Sequence, residues 1–403
     1  MKKDTRWLLD AIEEAGKTAM KNGEYWRATY TPEDELVVKL LIDYMKSEGM
    51  ITYFDGVGNL YGRIEGKTED VILIGSHRDT VRHGGKYDGI LGVLAGIRAV
   101  GSLFDTCGQP KKTVEIVAIC EEESSRFTTS DYIGSNYICG TMPISALKLT
   151  DSDNITLGDA IKSFGFKCGE LKQKSRPEIK HFVEMHVEQG GLLEHEGKQI
   201  GIVKSIVGQW GGRIEFTGQQ NHAGTTPMAL RSDPVPVMAE FITKMFSWVE
   251  QYKEDTVLTV GKIQLEPGSS NVIPCKSIIN FDIRSSIAER GSEALKMIMD
   301  FKEKMEGGID IDAFVAWEDN PVELNQEGIN VLENILCNLD YPYMFINSGA
   351  GHDSQNMARV YPTNMIFVPS MSGISHSEKE FTRSEDLDAG LDVLSAYIKR
   401  LAW

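Results

Sequence analysis

The sequence predicts an α/β protein in two parts: a buried, mostly parallel or mixed sheet with helices, and a βαββαβ unit inserted into it. Three observations lead there. The chain has 403 residues, 41 % hydrophobic and 25 % charged, enough for two domains. Toward both ends, strands with near-continuous apolar runs alternate with helices, the pattern of a sheet buried on both faces. From Trp210 the order becomes strand, helix, strand, strand, helix, strand, which closes on itself as four strands with two helices on one face.

The elements follow in order. Residues 5–48 carry two helical patterns around a polar turn near Thr31-Pro32. Ile51–Phe54, Asn59–Ile64, Val71–Gly75 and Val114–Cys120 read as strands bounded by Gly, Asp and Lys, with an apolar helix, Gly89–Leu103, between the last two. Lys180–Val187 and Ile200–Val207 are further strands, and Met365–Val368 is a late one. In the middle, Gly212–Phe216, Val257–Leu265, Ser277–Arg284 and Ile309–Val315 are strands, with helices at Val235–Gln251 and Ser292–Met305. This places an inserted domain at 209–322 and leaves 1–208 and 323–403 as one discontinuous domain.

Composition excludes several functions. Lys plus Arg is 42 against Asp plus Glu 59, a formal charge of −17 that repels phosphate backbones and anionic lipid, so neither nucleic acid nor membrane is an expected partner. The six cysteines are never closer than 13 residues, which allows no CxxC knuckle and fits a reducing compartment. The N-terminus scatters Asp10, Glu13 and Glu14 among few apolar residues, so no signal peptide or spanning segment is expected and the protein reads as cytoplasmic.

Three strand ends carry chemistry. VILIGSH runs into His77-Arg78-Asp79, and Asp88 follows in the glycine-rich turn HGGKYDG that opens a helix. His77 offers an imidazole nitrogen, Asp79 a carboxylate to orient the other nitrogen, and Asp88 two oxygens able to bridge two cations. A hydrogen-bonded strand end explains the same residues. TVEIVAIC ends in Glu121-Glu122-Glu123, which reads either as a solvated charge run or as one metal ligand beside one free general base. In HFVEMHVEQG, alternation puts Glu184, His186 and Glu188 on one face, suited to a cation or to an edge strand with one wet face. His352 in GAGHDS and His376 in GISHSE come late; His83 and His195 read as surface and His181 as a strand start.

The segments GSHRDTV, GGKYDGILGVLAG, EEESSRF, EMHVEQG, NHAGTTPMALRSDP, SSNVIPCKSIINFDIRSS, SGAGHDS and FVPSMSGISHSEKEFT together resemble the hydantoinase/carbamoylase family of dinuclear-metal amidohydrolases, relatives of the co-catalytic zinc exopeptidases. The resemblance runs from about residue 50 to 395. It implies an exopeptidase-like catalytic domain whose inserted ferredoxin-like domain acts as lid and dimerisation surface. It implies two divalent ions per subunit (zinc, or manganese, cobalt or nickel), one held by His77 and His186, the other by Glu123 and His376, with Asp88 between and Glu122 as general base. Gln189, His222, Asn271, Arg284 and His352 correspond to positions that meet the substrate, and His222 is expected to reach the partner subunit's site in a homodimer. Arg284 ends the apolar strand INFDIR and suits bidentate capture of a carboxylate, though a salt bridge to Asp282 or Asp233 is an alternative. Two positions depart from the family: Arg78 stands where an apolar residue is usual, with a consequence for nearby binding, and Ser124 where glycine is usual.

The implied reaction is hydrolysis of the ureido C–N bond of an N-carbamoyl-L-amino acid by a hydroxide held between the two ions, releasing amino acid, ammonia and carbon dioxide. Allantoate is the alternative substrate. A peptidase or deacylase is a further reading, against which the histidine of MHVEQG counts, since the exopeptidases commonly have an acidic ligand there. A dinucleotide-binding oxidoreductase, prompted by Gly56, Gly58 and Gly62, lacks a helix after the glycines. A non-catalytic binding protein would need a lost ligand or base, and none is missing.

Overall fold

Residues 1–204 with 323–403 make one compact unit, and residues 205–322 a second. The structure, a computed structural model, describes residues 2–21, 23–128, 132–167, 175–304 and 308–403, so Cys168 lies outside the described residues.

The strands of the first unit are β1 (Ile51–Phe54), β2 (Leu60–Ile64), β3 (Thr68–His77), β4 (Lys112–Ile119), β5 (Ile179–Val187) and β6 (Ile200–Ile206). Those of the inserted unit are β7 (Gly208–Thr217), β8 (Thr256–Glu266), β9 (Lys276–Ser285) and β10 (Asp310–Asp319). The first sheet then resumes with β11 (Val322–Glu323), β12 (Tyr343–Ser348) and β13 (Thr363–Val368). Its order is β11-β6-β13-β5-β3-β4-β2-β1, with β12 also on β6. The central block β13, β5, β3, β4 is parallel, and β1, β2 and β6 join antiparallel. It is a mixed sheet with a parallel heart, buried on both sides as its apolar runs require.

Helices α1 (Lys3–Thr18), α2 (Pro32–Ser47) and α3 (Ile90–Cys107) pack with the C-terminal Ser384–Ala402 helix on this unit. The start of α2 is dictated locally. Thr31 caps it by accepting from the Asp34 N–H, Pro32 fits the first turn, and Glu33, Asp34 and Glu35 face the positive end of the helix dipole. By length and composition α3 could cross a membrane, but 67 % of it is buried within the protein, which makes it a core helix.

In the inserted unit the sheet order is β8-β9-β7-β10, all antiparallel, with helices at Pro234–Val249 and Ala288–Lys304. Ile279, Phe281 and Ile283 of β9 point into a core with Trp210, Ile214, Phe216, Phe241 and Phe301, so Asn280, Asp282 and Arg284 take the other face. Each such large apolar side chain contributes roughly 1.5–3 kcal/mol on burial. The unit therefore holds a core of its own.

Candidate metal centre

Register brings the chemistry together. His77 pairs with Ile119, so Glu121-Glu122-Glu123 leaves β4 beside Asp79, and Val187 pairs with Val368, so the 369–376 segment leaves β13 beside Glu188 and Gln189. All of these lie at the carboxyl ends of parallel strands, where open α/β sheets collect ligands. Asp88 arrives from the turn before α3. Gly89 closes that turn with φ 67°, and a Cβ there would lie 2.3 Å from His77 Cε1.

Asp88 presents one oxygen to each of two groups. Its Oδ1 lies 3.3 Å from His77 Nε2 and 3.2 Å from His186 Nε2, and those two nitrogens are 3.4 Å apart. Its Oδ2 lies 3.3 Å from His376 Nε2, which is 3.4 Å from Glu123 Oε1. Glu122 Oε2 stands 3.8 Å from His77 Nε2. Two histidine nitrogens turned toward each other and toward one carboxylate oxygen are costly without a cation among them. Nδ1 of His77 meets the Asp79 carbonyl (3.0 Å) and that of His186 the Val187 carbonyl (2.9 Å), so each Nε2 faces inward, that of His186 beside the Gly89 N–H (3.1 Å). Asp88 Oδ1 and Glu123 Oε1 are buried without a hydrogen-bond donor. The donor set thus fits two divalent ions sharing Asp88.

The electrostatics agree. Burial disfavours a charged His77, but Glu122, Asp88 and Glu123 outweigh it and hold its pKa well above the ordinary value. The carboxylates of Asp88 and Glu123, both facing its ring, raise His376 to about 10. Asp88 is held well below the carboxylate range despite its burial, because the three histidines face it. Such protons are what a cation displaces. Glu122, 7 % exposed, is pushed well above the usual range by burial, which outweighs His77.

Four non-glycine residues here have left-handed backbones: Glu121 (φ 53°), Ser124 (φ 49°), Gln189 (φ 60°) and His376 (φ 50°). That conformation costs about 1–3 kcal/mol each and persists only where neighbours fix it. Ser124 thereby explains why its position suits glycine. Glu121 fixes the turn by accepting from the N–H groups of Arg126 (3.0 Å) and Phe127 (2.7 Å). Gln189 Nε2 donates to Asp88 Oδ2 at 2.8 Å.

Three sequence expectations are corrected. The Asp79 carboxylate does not orient His77, since its main-chain carbonyl does; the carboxylate takes the N–H groups of Glu122 and Glu123, each at 3.2 Å, and so shapes the base-bearing turn. Arg78, 1 % exposed, points away from the ligands. It pairs with Asp34 (2.7 Å) and donates to the Gly58 and Ala118 carbonyls. β5 is an interior strand, and Glu184 is buried there, accepting from Ser76 Oγ (2.6 Å) and Ser354 Oγ (2.6 Å). His352 is buried behind His186, ring centroids 4.6 Å apart, with Nε2 on Ser348 Oγ at 2.9 Å; burial holds its pKa well below normal.

Sequence reasoning passed over Glu184 as a buried anchor, Asp353 and Glu380. Asp353 is buried near Glu184, and burial holds its carboxyl well above the usual range. Glu380 is raised to about 7, by burial first and then by Asp88. Gly85 makes room for Glu380, but nothing in the local sequence marks that contact.

In the inserted unit, His222 is exposed on a two-residue bridge, Asn221–His222 with Val272–Ile273, next to the exposed Asn271. Its Nδ1 accepts from the N–H groups of Gly224 (3.0 Å) and Thr225 (3.2 Å), so the neutral ring carries its proton outward on Nε2. Arg284 pairs with both oxygens of Asp282, each at 3.1 Å, and Asp233 instead caps the Pro234–Val249 helix.

Comparison with known proteins bears on the same residues. Residues 73–400 match the peptidase family M20/M25/M40. The chain is 38 % identical to the allantoate amidohydrolase of Bacillus subtilis (strain 168), covering 96 % of this chain and 94 % of that one. It is 36 % identical to the N-carbamoyl-L-amino-acid amidohydrolase of Pseudomonas sp. (strain NS671), covering 98 % and 96 %. Among solved structures, a hydantoinase/carbamoylase family amidase from Burkholderia multivorans superposes with TM-score 0.91 at 30 % identity, over 98 % of this chain and 97 % of that one. Ligand cluster, fold and matches agree: this chain belongs to the peptidase family M20/M25/M40, as an amidohydrolase of the hydantoinase/carbamoylase type.

Proposed function

We propose that the protein hydrolyses the C–N bond of a ureido group on a small substrate carrying a carboxylate, with an N-carbamoyl-L-amino acid as the first candidate. The carrying observation is Asp88 offering one oxygen to His77 and His186 and the other to Glu123 and His376, with Glu122 left over. These residues would hold two divalent ions, which when bound supply Lewis acidity and make water a stronger acid. Glu122 accepts the proton of the attacking water; its burial gives it the proton affinity to pass that proton to the leaving nitrogen. The outward Nε2–H of His222 is a donor for the oxyanion, and Arg284 for the substrate carboxylate.

Allantoate is the second reading, favoured by the name of the relative that is 38 % identical. We also place the protein in the cytoplasm, which its five described and unpaired cysteines support, and in a homodimer. The dimer would form through residues 205–322, where the edge strand β8 exposes Val257, Ile263 and Leu265. The test is ammonia release from a panel of N-carbamoyl-amino acids and allantoate, after chelation and after return of zinc, manganese, cobalt or nickel. Activity restored by metal on one substrate class assigns it; full activity in chelated protein, or none on any ureido compound, overturns the proposal.

A further inference from the structure

We propose that Glu380 is a positioning residue for the metal centre, its single carboxylate fastening the turn that carries Asp88 to the segment that carries His376. The inference rests on the metal reading above and adds a group outside the ligand set. Glu380 is 2 % exposed. Its Oε2 accepts from the main-chain N–H groups of Tyr87 (2.8 Å) and Asp88 (3.1 Å), and its Oε1 accepts from Ser375 Oγ (2.8 Å). The Ser375 hydroxyl also lies 3.1 Å from Asp88 Oδ2, so it faces both carboxylates. Segments nearly three hundred residues apart are tied at one point, each immediately beside a ligand.

The chemistry suits a carboxylate. Three donors converge on Glu380, and an ionised carboxylate is acceptor-only with room for all three. The turn is also built to admit it: a Cβ on Gly85 would lie 2.1 Å from Glu380 Oε2. Asp88 can serve two groups only while its main chain and its Oδ2 are both held, and Glu380 with Ser375 and Gln189 supplies those holds. Without Glu380, two buried N–H groups would lose their acceptor and the turn would relax away from the shared position. Glu380 reaches main chain rather than the histidines, which separates it from the ligands themselves.

The test uses the full-length protein stripped of metal and titrated with cobalt(II), read by calorimetry and by the visible absorption of the bound ion. Wild type should bind two ions per chain; if it binds none, the metal reading fails before the clamp is examined. Glu380→Asp keeps the charge but is one methylene too short to span both segments, and Ser375→Ala removes one tie. Each should weaken binding of at least one ion by roughly 10–100-fold, the usual range for groups that orient ligands, and alter the cobalt spectrum. Glu380→Gln can still accept both N–H groups and donate to Ser375, and should restore most of the affinity. Glu380→Ala should show the largest loss; if it does not fold, the Asp and Ser375 variants decide. Wild-type affinity and spectrum in folded Glu380→Asp and Ser375→Ala, with only thermal stability lowered, would leave Glu380 a plain loop staple and overturn the proposal.

Discussion

Glu122 and Glu123 are neighbours in sequence with different surroundings. Glu123 meets His376, whereas Glu122 is buried over His77 with a strongly raised proton affinity. Glu122→Gln should therefore cut turnover by at least ~10²-fold while metal content stays at two ions per chain. Glu123→Gln should instead lower metal content, and the reverse pattern in elemental analysis would exchange the two roles. A second residue-scale prediction concerns His181, far along β5 from the ligands. Its Nε2 meets Asn364 Oδ1 at 2.9 Å beside the Tyr397 hydroxyl, and burial lowers its pKa to about 4 from 6.5. The folded state favours the neutral ring, so between those values the unfolded chain binds more protons and stability falls with falling pH. This contribution is complete above pH 6.5, is lost as pH drops toward 4, and amounts to about 3 kcal/mol. His181→Gln should flatten the dependence of the urea midpoint on pH across that window; parallel curves for variant and wild type would refute the assignment.

At the scale of elements, β9 carries the substrate question. Arg284 and Asp282 share one face of that strand and pair with each other, so the pair is either a structural link or a carboxylate receptor waiting to exchange partners. Arg284→Ala should raise KM for substrates with a free α-carboxylate by the roughly 1.5–3 kcal/mol of a charged hydrogen-bonded contact, and far less for amidated analogues. Equal losses on both would mark the pair as structural. The same scale shows what was legible in advance. Strand runs such as VILIGSH and INFDIR announce themselves by apolar content; the observed β3 adds three residues before the first and none after, and β9 adds three before the second and one after. The ligand-bearing segments were legible because they sit where such runs stop. Glu380 was not, since SEKE reads as a solvated charge run and only a contact across the whole chain buries it. Arg78 was misjudged for a related reason: its partner Asp34 sits on a helix whose approach to β3 no local pattern encodes. The role of Asp79 escaped because main chain and side chain of one residue serve different neighbours.

At the scale of the molecule, the proposed sharing of His222 between subunits can be tested by mixing. His222→Ala and Glu122→Ala, each inactive alone, should together recover roughly a quarter of wild-type activity after subunit exchange, because half the dimers are mixed and each holds one complete site. No recovery, with exchange confirmed by mass, would place His222 in its own chain's site. The strand order of the first unit has a different kind of consequence. β13, residues Thr363–Val368, lies between β5 and β6, and those two strands precede it by the length of the whole inserted unit and more. A ribosome therefore delivers the insertion, a contiguous segment with its own core, while its host still lacks a central strand. At ~5–20 residues per second the facing edges of β5 and β6 wait roughly 10–30 s for their partner. The guest can therefore fold before its host is complete, and a message cut short between residues 322 and 363 would release a chain whose inserted unit is whole and whose first sheet lacks an interior strand, its facing edges open to another copy.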